Sequence, residues 1–301
     1  MLIAGLDFTS NPSNSKKNTI ITSQVIENKV IVKKLLLFFD FKSLIEFFSN
    51  SSPIVCGCDF PFNLPFDYQR EFGLKNFKDT RKLVGKFNKI EFKNSLRKIQ
   101  KHREYGFKYS YRLTDKENFA GSPVNVINPP TGLMLYEGLK MFSSLDCCVY
   151  PFEKMNLKKN NFFETYPKIF LKLNNLTEKY KNEKYNISNQ LYVRKKYISF
   201  IKKFIRKKMQ LEISIPSHIE QECLLDCKGD VLDALICMII TLNLYHNNLY
   251  KYSVSDEYKK EGFIFNGLEY WLTNSFFIIN ICFKLLIEER YLIFSINFYY
   301  L

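Results

Sequence analysis

The chain is poor in the residues that mark several protein classes. With only 11 glycines and 10 prolines among 301 residues, it is neither collagen-like nor a Gly/Ser-rich low-complexity chain. It has no Cys-x-x-Cys pair. Its 8 cysteines fall as Cys56-x-Cys58, Cys147-Cys148, Cys223-x3-Cys227 and the lone Cys237 and Cys282, and none of these spacings suits a zinc site. Most sit among apolar neighbours and read as small core residues in a reducing compartment, with vicinal Cys147-Cys148 open to a redox reading as well. No uninterrupted apolar run reaches the ~18 residues of a membrane span. The Met1–Thr9 start lacks the charged and apolar regions of a signal peptide, so the expectation is a cytoplasmic protein without a transmembrane span. No internal repeat is visible.

Acidic residues are also in the minority. Lys+Arg number 44 against 30 Asp+Glu, a formal net charge of +14. This balance favours polyanionic partners, nucleic acid (DNA or RNA) before an acidic membrane surface. The surplus is nearly all lysine, beside abundant Asn, Ile, Phe and Tyr, a bias that AT-rich coding produces without any binding role. At 46% hydrophobic residues the chain can bury a sizeable core, and its length suits one large domain or two small ones.

The pattern predicts an α/β fold. Leu2–Phe8 reads as a short buried strand with an acid, Asp7, at its end. Thr19–Ile26 and Val30–Phe38, split by Glu27-Asn28-Lys29, read as a hairpin. Asp40 can cap a helix over Ser43–Phe48, and Ile54–Cys58 is a second buried strand delivering Asp59 before Pro61 stops it. Residues 67 to about 160 form a long, mostly helical, basic insert that includes Arg97 and Lys101. Its Lys-rich stretch is either a solvated helical face or a nucleic-acid groove. Lys108–Arg112 reads as a loop, Leu133–Met141 as a helix, Asn161–Pro167 as a strand bearing Glu164, and Val193–Met209 as a helix. Lys228–Ile240 is an apolar helix with two acids at its start, and Glu261–Phe265 a closing strand. We therefore expect a domain over 1–265 and an apolar extension over 266–301. In that extension two apolar halves flank Glu288-Glu289-Arg290, each too short to span a bilayer; packing, a membrane-surface anchor and an added tail all fit.

Asp7, Asp59, Glu164 and the pair Asp230/Asp233 fall at strand ends or a helix start. In open α/β sheets, ligands bind beyond the carboxyl ends of strands. Carboxylates gathered on one rim repel unless cations lie between them, and oxygen-rich sites suit Mg²⁺ or Mn²⁺. Two such ions ~3.5–4 Å apart activate water and stabilise the leaving oxygen of a phosphodiester. Each acid also has a plain structural reading. Asp230 after Gly229 fits an N-cap, Asp233 complements the helix dipole, and Glu164 fits a salt bridge. Asp7 and Asp59 are harder to account for in that way, because an acid ending an apolar strand is costly to bury without a partner.

Five segments in order resemble one known series. They are Gly5-Leu6-Asp7-Phe8-Thr9-Ser10-x-Pro12, Gly57-Cys58-Asp59-Phe60-Pro61-Phe62, Asn128-Pro129-Pro130-x-Gly132 with Tyr136-Glu137-Gly138, Glu164-Thr165-Tyr166-Pro167, and Gly229-Asp230-x-x-Asp233-Ala234-Leu235. Together they are similar to the motifs of domain-of-unknown-function family 429, regarded as nucleases of ribonuclease-H-like fold. The resemblance implies a mixed five-stranded sheet of order 3-2-1-4-5 flanked by helices, with the long insert between strands 4 and 5. It implies a nuclease whose metal ligands map to Asp7, Asp59 and either Asp230 or Asp233, with Glu164 a fourth candidate; the leading expectation takes Asp7, Asp59 and Asp233 as ligands, with Asp230 or Glu164 as outer ligand or water orienter. Lys108, Arg112, Arg97 and Lys101 would hold phosphates, which position rather than specify. The rival expectations are a nucleic-acid-binding module of the same fold without turnover, and an actin-like nucleotide-handling enzyme. The second lacks a further Asp-x-Gly-x-Thr-type loop here.

Overall fold

The apolar opening Leu2–Asp7 is a strand, β1, in the computed structural model of the protein, which describes residues 1–104, 107–181 and 187–267. Strands β2 (Asn18–Ile26) and β3 (Lys29–Phe38) form the expected antiparallel hairpin. Helix α1 (Phe41–Asn50) starts where Asp40 caps it: Oδ1 accepts from the Ser43 N–H at 2.8 Å and Oδ2 from the Ser43 hydroxyl at 2.7 Å. Strand β4 (Ile54–Asp59) follows. The insert comprises α2 (Phe66–Glu71), α3 (Phe77–Arg81), α4 (Leu83–Lys86), α5 (Lys89–Lys101), α6 (Leu113–Glu117) and α7 (Thr131–Ser143), then a short strand, β5 (Cys147–Val149). The chain returns through β6 (Asn160–Thr165), α8 (Pro167–Leu173), α9 (Ile187–Met209), β7 (Glu212–Ser214), α10 (Ser217–Leu225), α11 (Asp230–His246), α12 (Asp256–Glu261) and β8 (Ile264–Phe265).

These elements make an α/β fold with a mixed sheet flanked by helices. The sheet has eight strands rather than the expected five, in the order β5-β6-β4-β1-β2-β3-β7, with β8 paired to β6. Strands β5 and β7 escaped the sequence pattern because three residues cannot display a period-2 alternation. Register partners alone define them: β5 pairs in parallel with β6 and β7 with β3. The redox reading of Cys147-Cys148 is corrected here. Both lie in β5, and burial pushes the Cys147 thiol up to about 12 and raises that of Cys148, so neither is a ready thiolate.

Residues Met1–Gly267 pack as one unit. On one face of the sheet, Ala4, Leu6, Cys56 and Cys58 pack with α1 and with Phe60, Phe62 and the insert's Leu135, Leu139 and Phe142. On the other face lies α11, with fourteen buried residues from Val231 to Leu244. Among the described residues, no helix is long and apolar enough to cross a membrane. The apolar tail expected over 266–301 lies outside the described residues from position 268 onward.

Alternation along a strand puts Gly5 on the same face as Asp7, and Gly57 on the same face as Asp59. Gly5 and Gly57 are register partners in the parallel β1–β4 pair. A methyl group at Gly5 would lie 2.1 Å from the Met238 nitrogen and 2.2 Å from the Ala234 oxygen, and one at Gly57 would lie 2.1 Å from Thr241 Oγ1. Helix α11 can therefore rest backbone-close on β1 and β4 only because neither strand carries a side chain there. Gly5→Ala is expected to reduce unfolding free energy by about 3 kcal/mol through overpacking. Gly85→Ala, where nothing lies within 4 Å of the added methyl, should be near neutral. Urea denaturation of both variants checks the difference.

Candidate metal centre

Asp7 and Asp59 end adjacent parallel strands as register partners, so their carboxylates emerge side by side on one rim. The first turn of α11, held down over Gly5 and Gly57, brings Asp233 onto the same rim. One carboxylate oxygen from each of Asp7, Asp59 and Asp233 lies within 4.8 Å of the other two. Among the described residues, this is the group of acidic, His or Cys side chains placed to hold a metal ion. Positions separated by more than two hundred residues of chain thus meet in one pocket.

The cluster is electrostatically strained. Burial, followed by repulsion from Asp233, Asp230 and Asp59, pushes the Asp7 carboxyl well above the usual carboxylate range. Burial and then Asp233 raise Asp59 to about 7, with Lys181 acting in the opposite direction. Asp233 is 3% exposed. The Tyr180 hydroxyl donates to its Oδ1 at 2.5 Å, and the Lys181 ammonium bonds to its Oδ2. Burial works against the charge on Lys181, yet Asp233 and Asp7 hold it protonated above the usual lysine range. Asp7 and Asp59, among the described residues, form no ion pair of their own.

A divalent cation suits this donor set. Carboxylate oxygens are hard ligands of the kind Mg²⁺ and Mn²⁺ take. Without a cation, Asp7 and Asp59 offset their mutual repulsion by holding protons, and a divalent ion would take the place of those protons between the residues that hold it. Those residues would be Asp7, Asp59 and Asp233. Asp230, raised by burial and by Asp226, lies in the same first turn of α11 but outside the three-oxygen cluster. Nor does it cap the helix. Gly229 occupies the cap position at φ 74°, and Asp226 Oδ2 accepts from the Val231 N–H at 2.9 Å.

Two expected site residues require correction. Glu164 is not free to act as a ligand or water orienter, because Arg112 Nη1 and Nη2 donate to its two oxygens at 2.8 and 2.5 Å and the Phe62 N–H donates to Oε2 at 3.0 Å. Arg112 is not a phosphate contact either. It is 1% exposed and its remaining donors go to Asp115, Nε at 2.9 Å and Nη2 at 2.7 Å, and to the Glu261 carbonyl, Nη1 at 3.3 Å. This buried Asp115–Arg112–Glu164 chain fastens α6 of the insert to β6 of the sheet. Burial raises the Glu164 carboxyl even against the attraction of Arg112. Arg97, Lys101 and Lys108 are exposed, the first two on α5. Lys89, at the start of α5, reaches the Ser10 carbonyl just beyond β1 and pairs with Glu137 at 2.9 Å, so the basic helix begins next to the rim.

Beside Asp59 and Asp233 opens a cleft of about 480 Å³, lined by Tyr166, Lys168, Leu171, Lys172, Leu176, Lys179, Tyr180 and Lys181 among others. The sequence reading missed this wall. Tyr166-Pro167-Lys168 could have been found, since it directly follows a strand ending on the rim. Tyr180-Lys181 carried no signal, sitting in one of many Lys-rich stretches. It packs on Gly229, where a Cβ would lie 2.9 Å from Lys181 Cγ. Compared with family models, curated proteins and solved structures, the chain matches none.

Asp7 and Asp59 bind protons more tightly in the fold than in the unfolded chain, so the folded state takes up protons and its stability falls as pH rises. For Asp59 that stability is complete below about pH 4 and is lost as pH passes about 7. Without metal, unfolding free energy should drop across this window at up to about 1.4 kcal/mol per pH unit for each of the two carboxylates. Asp59→Asn should flatten the profile and be the more stable protein at pH 7.5; denaturant titrations across pH check this. Arg112→Ala, which strands Asp115 and Glu164 without their cation, should cost about 3–5 kcal/mol. Arg97→Ala on the exposed face should stay within about 0.5 kcal/mol of wild type.

Proposed function

We propose that this protein is a divalent-metal-dependent nuclease that hydrolyses phosphodiester bonds. The convergence of Asp7, Asp59 and Asp233 on one rim is the observation that carries this reading. Three further features support it. The strands β3-β2-β1-β4-β6 lie side by side within the larger sheet, the run expected of a ribonuclease-H-like core. The five motif segments resembling domain-of-unknown-function family 429 include all three acids. The net charge of +14 favours a polyanionic substrate.

In this reading Asp7, Asp59 and Asp233 would hold the divalent metal, and Asp230, in the same first turn of α11, would serve as an outer group. Divalent ions supply Lewis-acid charge that favours attack of water on the phosphodiester and stabilises the departing oxygen. The chain's own residues do the rest. Tyr180 and Lys181 fix the rotamer of Asp233 by taking one of its oxygens each. The lysines of the cleft and the exposed face of α5 hold the strand by its phosphates.

The Lys181 ammonium on Asp233 favours a second reading, in which the cation is replaced by the lysine and the protein binds nucleic acid without cutting it. Chelation separates the two. With Mn²⁺ or Mg²⁺ the wild-type protein should cleave a labelled oligonucleotide, excess EDTA should abolish cleavage, and Asp7→Asn should lose more than about 100-fold in rate. Mn²⁺ should also raise the melting temperature of wild type at pH 7.5 and not that of Asp7→Asn. Equal cleavage by variant and wild type removes the assignment. Salt-sensitive binding indifferent to EDTA, with no cleavage, establishes the binding module instead.

A further inference from the structure

Resting on the nuclease reading, we propose that the cleft beside Asp59 and Asp233 is a subsite for one unpaired nucleotide, so that the substrate is a single-stranded or locally opened strand. The cleft's volume of about 480 Å³ falls within the ~300–1,000 Å³ of pockets that enclose one small ligand. Its walls are of two kinds. Leu171 and Leu176 are buried, and with Tyr166 and Tyr180 they offer an apolar and aromatic surface. Lys168 and Lys179 are exposed at the rim, and Lys172 lies with its ammonium 4.1 Å from the Phe119 ring centroid. Glu178, the rim acid outside the cluster, is paired with Lys196, so its charge does not oppose an anion there.

This combination matches a nucleotide in particular. An aromatic wall takes a base face, which every unstacked base exposes, and flanking ammonium groups take the phosphate on either side. A paired duplex turns its base faces inward into its own stack and offers nothing for the apolar wall to cover. Lys181 and Tyr180 belong both to the cleft wall and to the contacts on Asp233. A nucleotide seated in the cleft therefore has its phosphate next to the carboxylate cluster. The basic face of α5, by contrast, is suited to either form of nucleic acid, because phosphates are displayed by both.

Fluorescence anisotropy on the full chain in EDTA tests this, using labelled oligothymidylate, labelled oligouridylate and a blunt DNA duplex of equal length. At least one single-stranded probe should bind ten-fold or more tightly than the duplex, and the two single strands tell DNA from RNA. Lys168→Glu/Lys179→Glu, both exposed positions, should weaken that probe at least five-fold more than it weakens the duplex, whose loss reports only the change in net charge. Leu176→Trp, which fills the cleft without altering charge, should also weaken the single strand selectively. Equal binding of duplex and both single strands, or single-strand binding unmoved by the double variant, overturns the proposal. The Mn²⁺-induced rise in melting temperature, measured on the same preparations, keeps its fate separate from that of the nuclease reading. A rise without single-strand preference sinks the cleft alone, whereas single-strand preference without a rise sinks the metal reading alone.

Discussion

Helix α11 lies against the β1–β4 pair where neither strand carries a side chain, at Gly5 and Gly57, and the rest of the site follows from that contact. Gly5 and Gly57 sit opposite one another in register, and each leaves room for helix backbone or a threonine hydroxyl where any larger residue would collide. Two residues further along each strand, on the same face, come Asp7 and Asp59. The closeness of the helix is what converts a row of two acids at a sheet edge into a three-sided cluster, because its first turn carries Asp233. A side chain in place of either glycine would lift α11 and withdraw Asp233 from the other two.

The protein contains two groups of buried acids, and they are balanced differently. In the Asp115–Arg112–Glu164 chain a planar guanidinium satisfies two carboxylates with short hydrogen bonds, and no capacity is left for a ligand. That chain is a fastening between the insert and the sheet. At the rim, three acids face one lysine that bonds to a single one of them, and burial and mutual repulsion hold Asp7 and Asp59 above the normal carboxylate range. Fully ionised, each group has more acids than cations; the difference is that both acids of the first are bound by the guanidinium, whereas Asp7 and Asp59 at the rim have no cation bonded to them. This contrast separates the proposed ion site from a structural network more clearly than proximity does, since Glu164 too lies near enough to act on Asp59.

The insert, which interrupts the strand order after β4, contributes to both faces of this arrangement. Its core residues, among them Phe92, Leu135 and Phe142, extend the hydrophobic layer that backs β1 and β4. Its α5 begins near the loop after β1, where Lys89 bonds to the Ser10 carbonyl, and the exposed Arg97, Lys98 and Lys101 follow toward the C-terminal end of that helix.

Much of this was legible in the chain itself. Apolar runs ending at Asp7 and Asp59, the hairpin between them, the Asp40 cap and the acid-led helix from Asp230 are local features, governed by period, capping and turn chemistry within a dozen residues. Those rules could place acids at element ends but could not say what each one faces. Asp233 and Asp230 are equivalent in sequence, yet the turn of the helix puts one inside the cluster and the other at its margin. Glu164 and Arg112 looked like site residues until their positions 52 apart in sequence proved to be in contact. The short strands β5 and β7 and the cleft wall around Tyr180 exist only through partners distant in the chain. Local order was written in the sequence because backbone preferences act over a few residues. The sorting of buried charges into paired and unpaired was decided only by tertiary structure, because it depends on which distant side chains reach one another once water is excluded.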